Sequence, residues 1–519
     1  MTFTSHGSVS PLLAATCAVC FVAIAASSIR RWLKAKKPYA NIPGPEPTSA
    51  IGYLLDLHSP DALGWHFNMP EEFGHVARLK GGLLGADALY ITDPLALNAI
   101  LIRQQAWFPE STEFAGLFGV IHCGDGVASV QGREHKKQRK YMDVLFTAGR
   151  VSKLTPMFYQ VTRQLEAKLR AALSGKPPGQ VVDMLDYLTR AALEIIGTAG
   201  IGHTFNSFDD KSEAFDQFHG AITSVLPLAS RLFLVLPFLE SWRKMRPVWL
   251  RRSLAAIATF PWPAAGRFRA AVDTMHPVYV KLYNSRKNAL EEGGSAALAE
   301  TAAGGKDLIT SMIQANWDAD EADKMSDDIV LANMSSIKKA PGEDLDFNEL
   351  ERLPLLDAVV REMLRIHSPV TFVWRQTKKD VVVPLTYPIR STTTGEEMTQ
   401  LLIKEGTAVY LGLSAANRST AIWGADAAEF KPDRWLNRTH ESKLPGAYSG
   451  MMTFLSGAKV CPGKTFALLE MTVLSVLLLS FSFEPISEPI DWRMGITLEP
   501  RVRGHEKEGV QVPVRVTII

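Results

Sequence analysis

Cysteine is scarce in this chain: four residues among 519, at positions 17, 20, 123 and 461. So few cysteines cannot form a disulfide framework for a chain of this length, and their scarcity favours a reducing, cytosol-facing compartment. Cys17 and Cys20 form a C-x-x-C pair, but both lie in an apolar run, and no second pair completes a zinc site. The sequence therefore argues against a secreted disulfide scaffold and against a cysteine-rich metal site.

A strong net charge is missing as well. Lys and Arg together number 56 and Asp and Glu 54, which gives a formal net charge of +2. No run of Lys and Arg with interleaved aromatic residues is available to follow a phosphate backbone, so we predict no nucleic-acid partner. Hydrophobic residues make up 46% of the chain and charged residues 21%, an ordinary globular composition that can bury a large core.

Charge is absent from the N-terminus: residues 1–29 contain no Asp, Glu, Lys or Arg. Residues 11–29 would span about 28 Å as a helix, close to the ~30 Å of a bilayer's hydrocarbon core. Basic residues follow from Arg30 to Lys37, which predicts that the remainder stays in the cytosol. We therefore predict a single-pass membrane anchor over 1–29. The alternative is a cleaved secretory signal, although such a signal carries its positive charges before the apolar run.

The chain after the anchor divides into a short hinge and one large body. Residues 30–49 are basic and rich in proline, which predicts an extended spacer, and residues 50–519 form one predicted globular domain. Residues 74–92 predict two short strands around a glycine-containing turn, and much of 130–360 predicts helix. The low-complexity stretch 294–305 predicts a surface loop. The expected fold class is mainly α with small β-sheets (α+β).

Three charged residues form a candidate buried cluster. Glu362 and Arg365 are three residues apart in a stretch with helical periodicity, so they should lie on one helix face. Arg434 follows Pro432 in the segment "FKPDRW". A carboxylate between two guanidinium groups can satisfy its charge even in the interior. We expect Glu362, Arg365 and Arg434 to have a structural role.

Cys461 stands between Gly457 and Gly463, directly before a helix-favouring run that begins at Lys464. A helix N-terminus stabilises a thiolate, which predicts a lowered pKa for Cys461, and the glycines leave room for a flat ligand. No nearby cysteines supply a zinc or iron–sulfur site, whereas a single thiolate suits haem iron. Two alternatives remain: a small buried hydrophobic residue, or the nucleophile of a thiol hydrolase, for which His440 is the one upstream histidine within fifty residues.

The pattern of this loop closely resembles the cysteine loop of the cytochrome P450 family. Glu362-x-x-Arg365 and "FKPDRW" resemble two further landmarks of that family in the right order, and "NIPGPEP" resembles the hinge behind the anchor of its eukaryotic, especially fungal, members. The resemblance implies a P450-like fold, a haem with Cys461 as its axial thiolate, and a monooxygenase that inserts one oxygen atom from O2 into a small apolar substrate. The loop residues that carry the resemblance are Phe454, Gly457, Cys461, Gly463, Phe466, Ala467 and Glu470.

The resemblance also implies partners and further haem contacts. Electrons would come from a separate NADPH-cytochrome P450 reductase, and the anchor would hold the cytosolic catalytic domain on the endoplasmic reticulum membrane. His135, Arg139 and Arg375 resemble the residues that hold the haem carboxylates. Lys459 occupies a loop position that is usually arginine, and because lysine cannot form a bidentate fork we expect weaker haem retention. Residues 111–130 and 221–262 are expected to shape the substrate pocket.

One family feature is missing from the sequence. The family carries a long helix across the distal face of the haem, with a small-Gly-x-acid-Thr signature, before the helix that contains Glu362. Here no Gly or Thr occurs from Leu331 to Ala340, and a helix that begins at Ser326 would be only about 12 residues long. We therefore expect an internal deletion of at least ~30 residues and identify no distal catalytic acid or Thr. The alternative function is a non-catalytic relic or a truncated gene model.

Overall fold

The computed structural model describes residues 38–81, 86–200, 203–209, 213–232, 235–259, 262–300, 347–350, 353–436 and 442–519. Helices dominate the N-terminal two thirds of this part of the chain, and most of the strands follow Phe372. The α-helices are α1 (Leu54–His58), α2 (Leu63–Phe73), α3 (Pro94–Asn98), α4 (Thr112–Ile121), α5 (Gly132–Leu145), α6 (Ala148–Val151), α7 (Thr155–Leu173), α8 (Met184–Gly200), α9 (Glu213–Ser230), α10 (Leu236–Arg243), α11 (Val248–Thr259), α12 (Pro263–Glu300), α13 (Phe347–Leu350), α14 (Pro354–Ile366), α15 (Leu413–Arg418), α16 (Thr420–Trp423), α17 (Asp433–Leu436) and α18 (Lys464–Leu474).

Shorter helical turns join several of these elements. A π-helical turn, Ala99–Arg103, continues α3. The 3-10 turns are Gln105–Trp107, Ser152–Leu154, Met452–Phe454, Gly457–Lys459, Ser475–Leu479 and Glu506–Glu508.

The strands of the described residues are β1 (Val76–Leu79), β2 (Ala88–Ile91), β3 (Gln180–Asp183), β4 (Phe372–Gln376), β5 (Val381–Arg390), β6 (Glu397–Ile403), β7 (Ala408–Gly412), β8 (Phe481–Pro485), β9 (Ile490–Met494), β10 (Leu498–Val502) and β11 (Pro513–Ile518). They form four small sheets. The largest has the order β1-β2-β7-β4, in which β2 and β7 are parallel and the other pairs antiparallel. The others are the antiparallel pairs β5-β6 and β10-β9 and the three-stranded sheet β3-β11-β8.

Local sequence signals account for several helix ends. Asp93 caps α3 through its side chain, which accepts from the backbone N–H of Ala96 at 3.0 Å, and Pro94 takes the first helical position. Ser111 caps α4 in the same way, through the N–H of Phe114. Pro354 occupies the first turn of α14, where its missing N–H costs nothing.

Helix α18 joins the two main parts of the core. One face buries Phe466, Leu469 and Val473 in a large helical cluster that also contains Phe158 and Leu165 of α7. The other face places Ala467, Leu468 and Met471 against a cluster built from the sheets and the cysteine loop. Helix α18, which follows the cysteine loop directly, is therefore held by packing on two sides.

The expected fold class, helices with small sheets, is confirmed. The two strands predicted within 74–92 are β1 and β2, and α5 to α14 supply most of the helix predicted for 130–360. The surface loop predicted at 294–305 is wrong for residues 294–300, which continue α12, because Ala and Glu there favour helix despite the low complexity. Residues 301–305 lie outside the described residues.

Two further predictions fall on residues that the structure does not describe: the membrane anchor over 1–29 and the shortened distal helix between Ser326 and Ala340. Among the described residues, none of the helices combines the length and apolarity needed to cross a bilayer.

The C-terminal part of the predicted hinge is docked onto the body. Tyr39 and Ile42 are each 2% exposed, and the Tyr39 hydroxyl lies 2.8 Å from Oγ1 of Thr407. The backbone N–H of Arg78 donates to the Pro43 carbonyl at 2.8 Å. The folded body therefore includes residues from about Tyr39 onward.

Candidate functional site

The loop before α18 is fixed by its backbone. The N–H of Cys461 donates to the Phe454 carbonyl at 2.9 Å, which closes the loop. Gly457 has φ +68°, and a Cβ there would overlap the carbonyl oxygen of Leu101. Glycine is required at this position on both counts.

Gly463 differs from Gly457 in its backbone conformation. It is the N-cap of α18 with φ −79°, a value that any residue adopts. A Cβ at Gly463 would stand 4.0 Å from the Cys461 Sγ. That distance is an ordinary van der Waals contact, so the described residues would accept a side chain at Gly463, and its absence leaves that side of the sulfur uncovered.

The Cys461 side chain is exposed, so the alternative in which it is a small buried hydrophobic residue is wrong. The predicted lowering of its pKa is also wrong for the protein without a bound metal. Although the residue is exposed at the surface of the described chain, the protein atoms packed around the sulfur partly desolvate the thiol and raise its pKa. This outweighs the Gly463 N–H and the charges of Arg139 and Lys464, which lower the pKa. His440, the base that a thiol hydrolase would need, lies outside the described residues.

Four residues are predicted to hold the haem carboxylates, and three of them, Arg139, Arg375 and Lys459, lie in or near the cysteine loop. Arg139 of α5 donates through Nη1 to the carbonyl of Val460, the residue before Cys461. Lys459 Nζ donates to the carbonyl of Val130 at 3.0 Å. Lys459 and Arg375 of β4 contact the same carboxylate, that of Glu110. The structure therefore brings side chains from α5, β4 and the cysteine loop to one place.

His135, the fourth, is 4% exposed and is not a cation at neutral pH. Burial and the charges of Lys459 and Arg139 lower its pKa to about 4. It was expected as one of the basic residues of this helix. Its imidazole is instead neutral and can serve as a hydrogen-bonding group.

Sequence reasoning missed Glu110, which is 9% exposed. Its Oε2 lies 2.5 Å from Lys459 Nζ, and its Oε1 lies 4.0 Å from Nη2 of Arg375. Glu110 lies outside the helices and strands, and no periodicity or motif in the sequence around it indicates a role at the site. Its ion-pair partners are distant in sequence and only the tertiary fold brings them close.

Glu362 and Arg365 form a fully buried ion pair on α14. Arg365 Nε and Nη2 donate to the two Glu362 oxygens at 2.9 and 2.7 Å. Burial raises the pKa of Glu362, but hydrogen bonds from Arg365, the Lys431 N–H and Trp435 outweigh it, so the pKa lies below its ordinary value. Arg434 Nε is 3.6 Å from Glu362, close enough for attraction but too long for a hydrogen bond.

Asn417, also missed from the sequence, connects this ion pair to the cysteine loop. Its carbonyl accepts from Arg365 at 2.9 Å, its side-chain oxygen accepts from the Met452 N–H at 2.7 Å, and its amide donates to Thr453 at 2.9 Å. Thr453 in turn donates to the carbonyl of Leu364 in α14. The two motifs recognised separately in the sequence are therefore one hydrogen-bonded unit.

The two segments expected to shape a substrate pocket contact each other. A Cβ at Gly116 of α4 would stand 2.6 Å from the Glu240 backbone nitrogen of α10, so the absence of a side chain permits this close packing. Arg243 of α10 pairs with Asp125 at 2.6 Å and with Glu240 at 2.5 Å. This contact joins residues 111–130 to residues 221–262.

Comparison with known proteins decides the family. The sequence model of the cytochrome P450 family matches residues 42–340 and 334–501. The chain belongs to the cytochrome P450 family. It is 33% identical to cytochrome P450 monooxygenase 91 of Postia placenta, an alignment that covers 92% of this chain and 94% of that protein. It is 31% identical to cytochrome P450 monooxygenase eriI of Hericium erinaceus, an alignment that covers 98% of both chains. It is 29% identical to ganoderic acid synthetase CYP5150L8 of Ganoderma lucidum, over 92% of this chain and 95% of that protein.

This P450 is accordingly an oxidoreductase of the haem-thiolate class, and its cofactor is haem held through a cysteine thiolate. The described residues fit that group in two respects. A single accessible thiol stands beside a space that Gly463 leaves open. Cationic side chains that suit carboxylates surround the same loop.

Proposed function

We propose that this chain is a haem-thiolate monooxygenase in which Cys461 is the axial ligand of the haem. His135, Arg139, Arg375 and Lys459 hold the two propionates. The reaction inserts one oxygen atom of O2 into an apolar organic substrate. The observation that carries the proposal is that two cations stand beside Cys461. Arg139 of α5 contacts the loop at Val460, and Lys459 belongs to the loop and contacts Val130. The Phe454 carbonyl holds the Cys461 backbone in the same loop.

The haem supplies reductive activation of dioxygen, which a thiolate ligand favours by pushing electron density toward the iron. The protein's part is to hold the sulfur and the carboxylates in fixed positions. Gly457 keeps the loop against Leu101, and the hydrogen bond from Arg139 to the Val460 carbonyl holds the loop at a second point. The Glu362–Arg365–Asn417 unit holds the start of the same loop at Met452.

The spectrum of the reduced, carbon-monoxide-bound protein tests the ligand. We expect a strongly red-shifted Soret band for the unchanged chain and for Cys123→Ser, which removes the other described cysteine. Cys461→Ser should lose that band. A folded Cys461→Ser protein with the same pigment and the same spectrum would refute the assignment.

The partners and the location depend on the proposed reaction. We propose that electrons come from a separate NADPH-cytochrome P450 reductase and that residues 1–29 anchor the chain in the endoplasmic reticulum membrane with its catalytic domain in the cytosol. The uncharged stretch 11–29 and the basic residues after it support the anchor. Substrate-dependent NADPH oxidation with added reductase tests the first part. No oxidation above the level of reductase alone, in a panel of apolar substrates, would count against it.

A second candidate is a haem-binding but non-catalytic relic or a truncated gene product. Two observations favour it: the interval from Leu331 to Ala340 lacks the glycine and threonine of the distal helix, and the family match is divided into two segments that meet at residues 334–340. Without that helix one wall of the haem pocket would be missing. A loss of this size can exceed the ~5–15 kcal/mol of stability of a typical domain.

Insertion of a distal helix after Ser335 separates the two candidates. The relic predicts no turnover by the chain as written and restored turnover after insertion, at equal haem content. Sequencing the transcript across codons 330–345 provides an independent check. Turnover by the unmodified chain would rule out the relic.

A further inference from the structure

The position of Glu110 is determined by its backbone. It forms an isolated antiparallel bridge with Arg375, and the flanking Pro109 carbonyl accepts from the N–H of Gln376 at 3.1 Å. The Gln131 side chain donates to the Glu110 carbonyl at 2.7 Å. The next residue, Ser111, begins α4 as its N-cap. The backbone of Glu110 is therefore fixed beside β4, and its side chain starts from a defined position within reach of the site.

The carboxylate of Glu110 contacts two cations that the proposed function assigns to the haem propionates. It lies 2.5 Å from Lys459 Nζ and 4.0 Å from Arg375 Nη2. Arg375 is 3% exposed and the Glu110 residue 9%, so solvent screens this interaction weakly. A buried cation needs a counter-charge, and Glu110 supplies one for both side chains.

The charge balance of the site changes when a second source of negative charge enters. Among the described residues, the ion pairs of Arg139, Arg375 and Lys459 involve two carboxylates, Glu110 and Asp143, the second of which pairs with Arg139 at 2.5 Å. One positive charge is left over. Two haem propionates would turn this into an excess of negative charge, whereas without Glu110 they would balance the site.

We infer that Glu110 is an internal competitor of the haem propionates: it stabilises the haem-free fold by neutralising Lys459 and Arg375, and it thereby weakens haem retention. This inference rests on the proposed haem site. Weak haem retention then has two causes. Lys459 binds a propionate less well than an arginine would, and its charge is already paired with Glu110. Glu110 acts through Lys459 and Arg375 and is a positioning residue.

The test measures the rate at which the purified protein loses haem to an excess of haem-free globin, monitored by the change in absorbance. Glu110→Gln keeps the size of the side chain and removes its charge, and we expect haem loss to slow on the order of tenfold. The control is Glu72→Gln, which removes one negative charge from an exposed position on α2 and should leave the rate unchanged. A rate for Glu110→Gln that is equal to or faster than that of the parent would overturn the inference.

A second measurement concerns the haem-free protein, whose fold the Glu110 carboxylate should stabilise. Haem-free Glu110→Gln should melt at a lower temperature than the haem-free parent, whereas haem-free Glu72→Gln should not. If Glu110→Gln does not fold, Glu110→Asp provides the test, because the shorter side chain moves the carboxylate away from Lys459 and should slow haem loss to a smaller extent. Unchanged melting of haem-free Glu110→Gln would contradict the inference.

A double variant shows whether the effect passes through the ion pair. In the Lys459→Gln background, Glu110→Gln should slow haem loss less than it does in the parent. Equal effects in both backgrounds would overturn the assigned route. A parent protein that binds no haem, or binds it without the thiolate spectrum, would refute the proposed function itself. A normal spectrum with identical loss rates would refute only the role of Glu110.

Discussion

At the scale of single residues, the site depends on backbone space as much as on charge. Gly457 combines φ +68° with a position where a Cβ would overlap the Leu101 carbonyl. Gly504 has φ +85° with nothing within 4 Å of a Cβ. Alanine variants of the two glycines can therefore be compared. The variant at Gly504 has only the cost of the backbone conformation, about 1–2 kcal/mol for an L-residue, and the variant at Gly457 has the cost of the overlap in addition.

We predict that Gly457→Ala displaces the cysteine loop, while Gly504→Ala shows only the conformational cost. The haem content per folded protein should fall severalfold in Gly457→Ala and stay at the parent level in Gly504→Ala, as measured by pigment absorbance against protein concentration. Equal haem content in the two variants would mean that the Leu101 contact does not position the loop.

His66 gives a residue-scale prediction for pH. It is 0% exposed, lies 3.0 Å from the Tyr90 hydroxyl and 3.1 Å from the Leu57 carbonyl, and its burial lowers its pKa to about 3. Between pH 6.5 and 3 the unfolded chain binds a proton at this residue that the folded chain does not. The free energy of unfolding therefore falls as the pH falls through this range, by about 1.4 kcal/mol per pH unit from this group.

His66→Gln should remove that contribution. Between pH 7.5 and 5.0 the variant should lose roughly 2 kcal/mol less stability than the parent, as measured by urea unfolding at both pH values. Glu508 raises the pKa of the exposed His505, so His505→Gln should not reduce the pH dependence. An equal loss in parent and His66→Gln would show that His66 is protonated in the folded state.

At the scale of elements, the start of the cysteine loop is coupled to α14 through Asn417. The residue is 0% exposed, and its side chain satisfies the Met452 N–H and Thr453, which is itself bonded to Leu364 of α14. Removal of this amide would leave a buried donor without a partner. Such a group costs about 1–3 kcal/mol when it is left unsatisfied.

We therefore predict that Asn417→Ala lowers the free energy of unfolding by about 2–4 kcal/mol and also lowers haem content, because the loop loses its attachment. Asn284 is exposed on α12, and Asn284→Ala should change stability by less than about 0.5 kcal/mol. Denaturant unfolding and pigment absorbance measure the two effects. Lost stability with unchanged haem content would show that Asn417 supports the fold alone.

Some elements of the site can be predicted from the sequence and others cannot. The cysteine loop, α14 and the strands β1 and β2 each have a local pattern, a fixed spacing or a period, and each could be predicted. Glu110, Asn417 and Trp435 acquire their roles from partners far away in the chain, and no local pattern encodes them. The raised pKa of the Cys461 thiol has the same origin, since desolvation depends on packing that the loop sequence does not specify.

At the scale of the whole molecule, the docked hinge determines where the folded body begins. The sequence predicts an extended spacer up to residue 49, but Tyr39 and Ile42 are buried and the Tyr39 hydroxyl accepts from the Lys404 N–H at 2.8 Å. A Cβ at Gly44 would overlap the Arg78 carbonyl, so this segment lies directly against β1. Removal of the proposed anchor and removal of the hinge should therefore have different consequences.

Two truncations test this difference. A chain that begins at Pro38 should leave the membrane pellet after an alkali wash, in contrast to the full chain, and should keep its melting temperature. A chain that begins at Ala50 should also leave the pellet but melt at a lower temperature, because it loses several kcal/mol from the buried Tyr39 and Ile42 side chains. Release of the full chain by alkali would refute the anchor. Equal melting of the two truncated chains would show that residues 38–49 do not stabilise the body, whatever the anchor does.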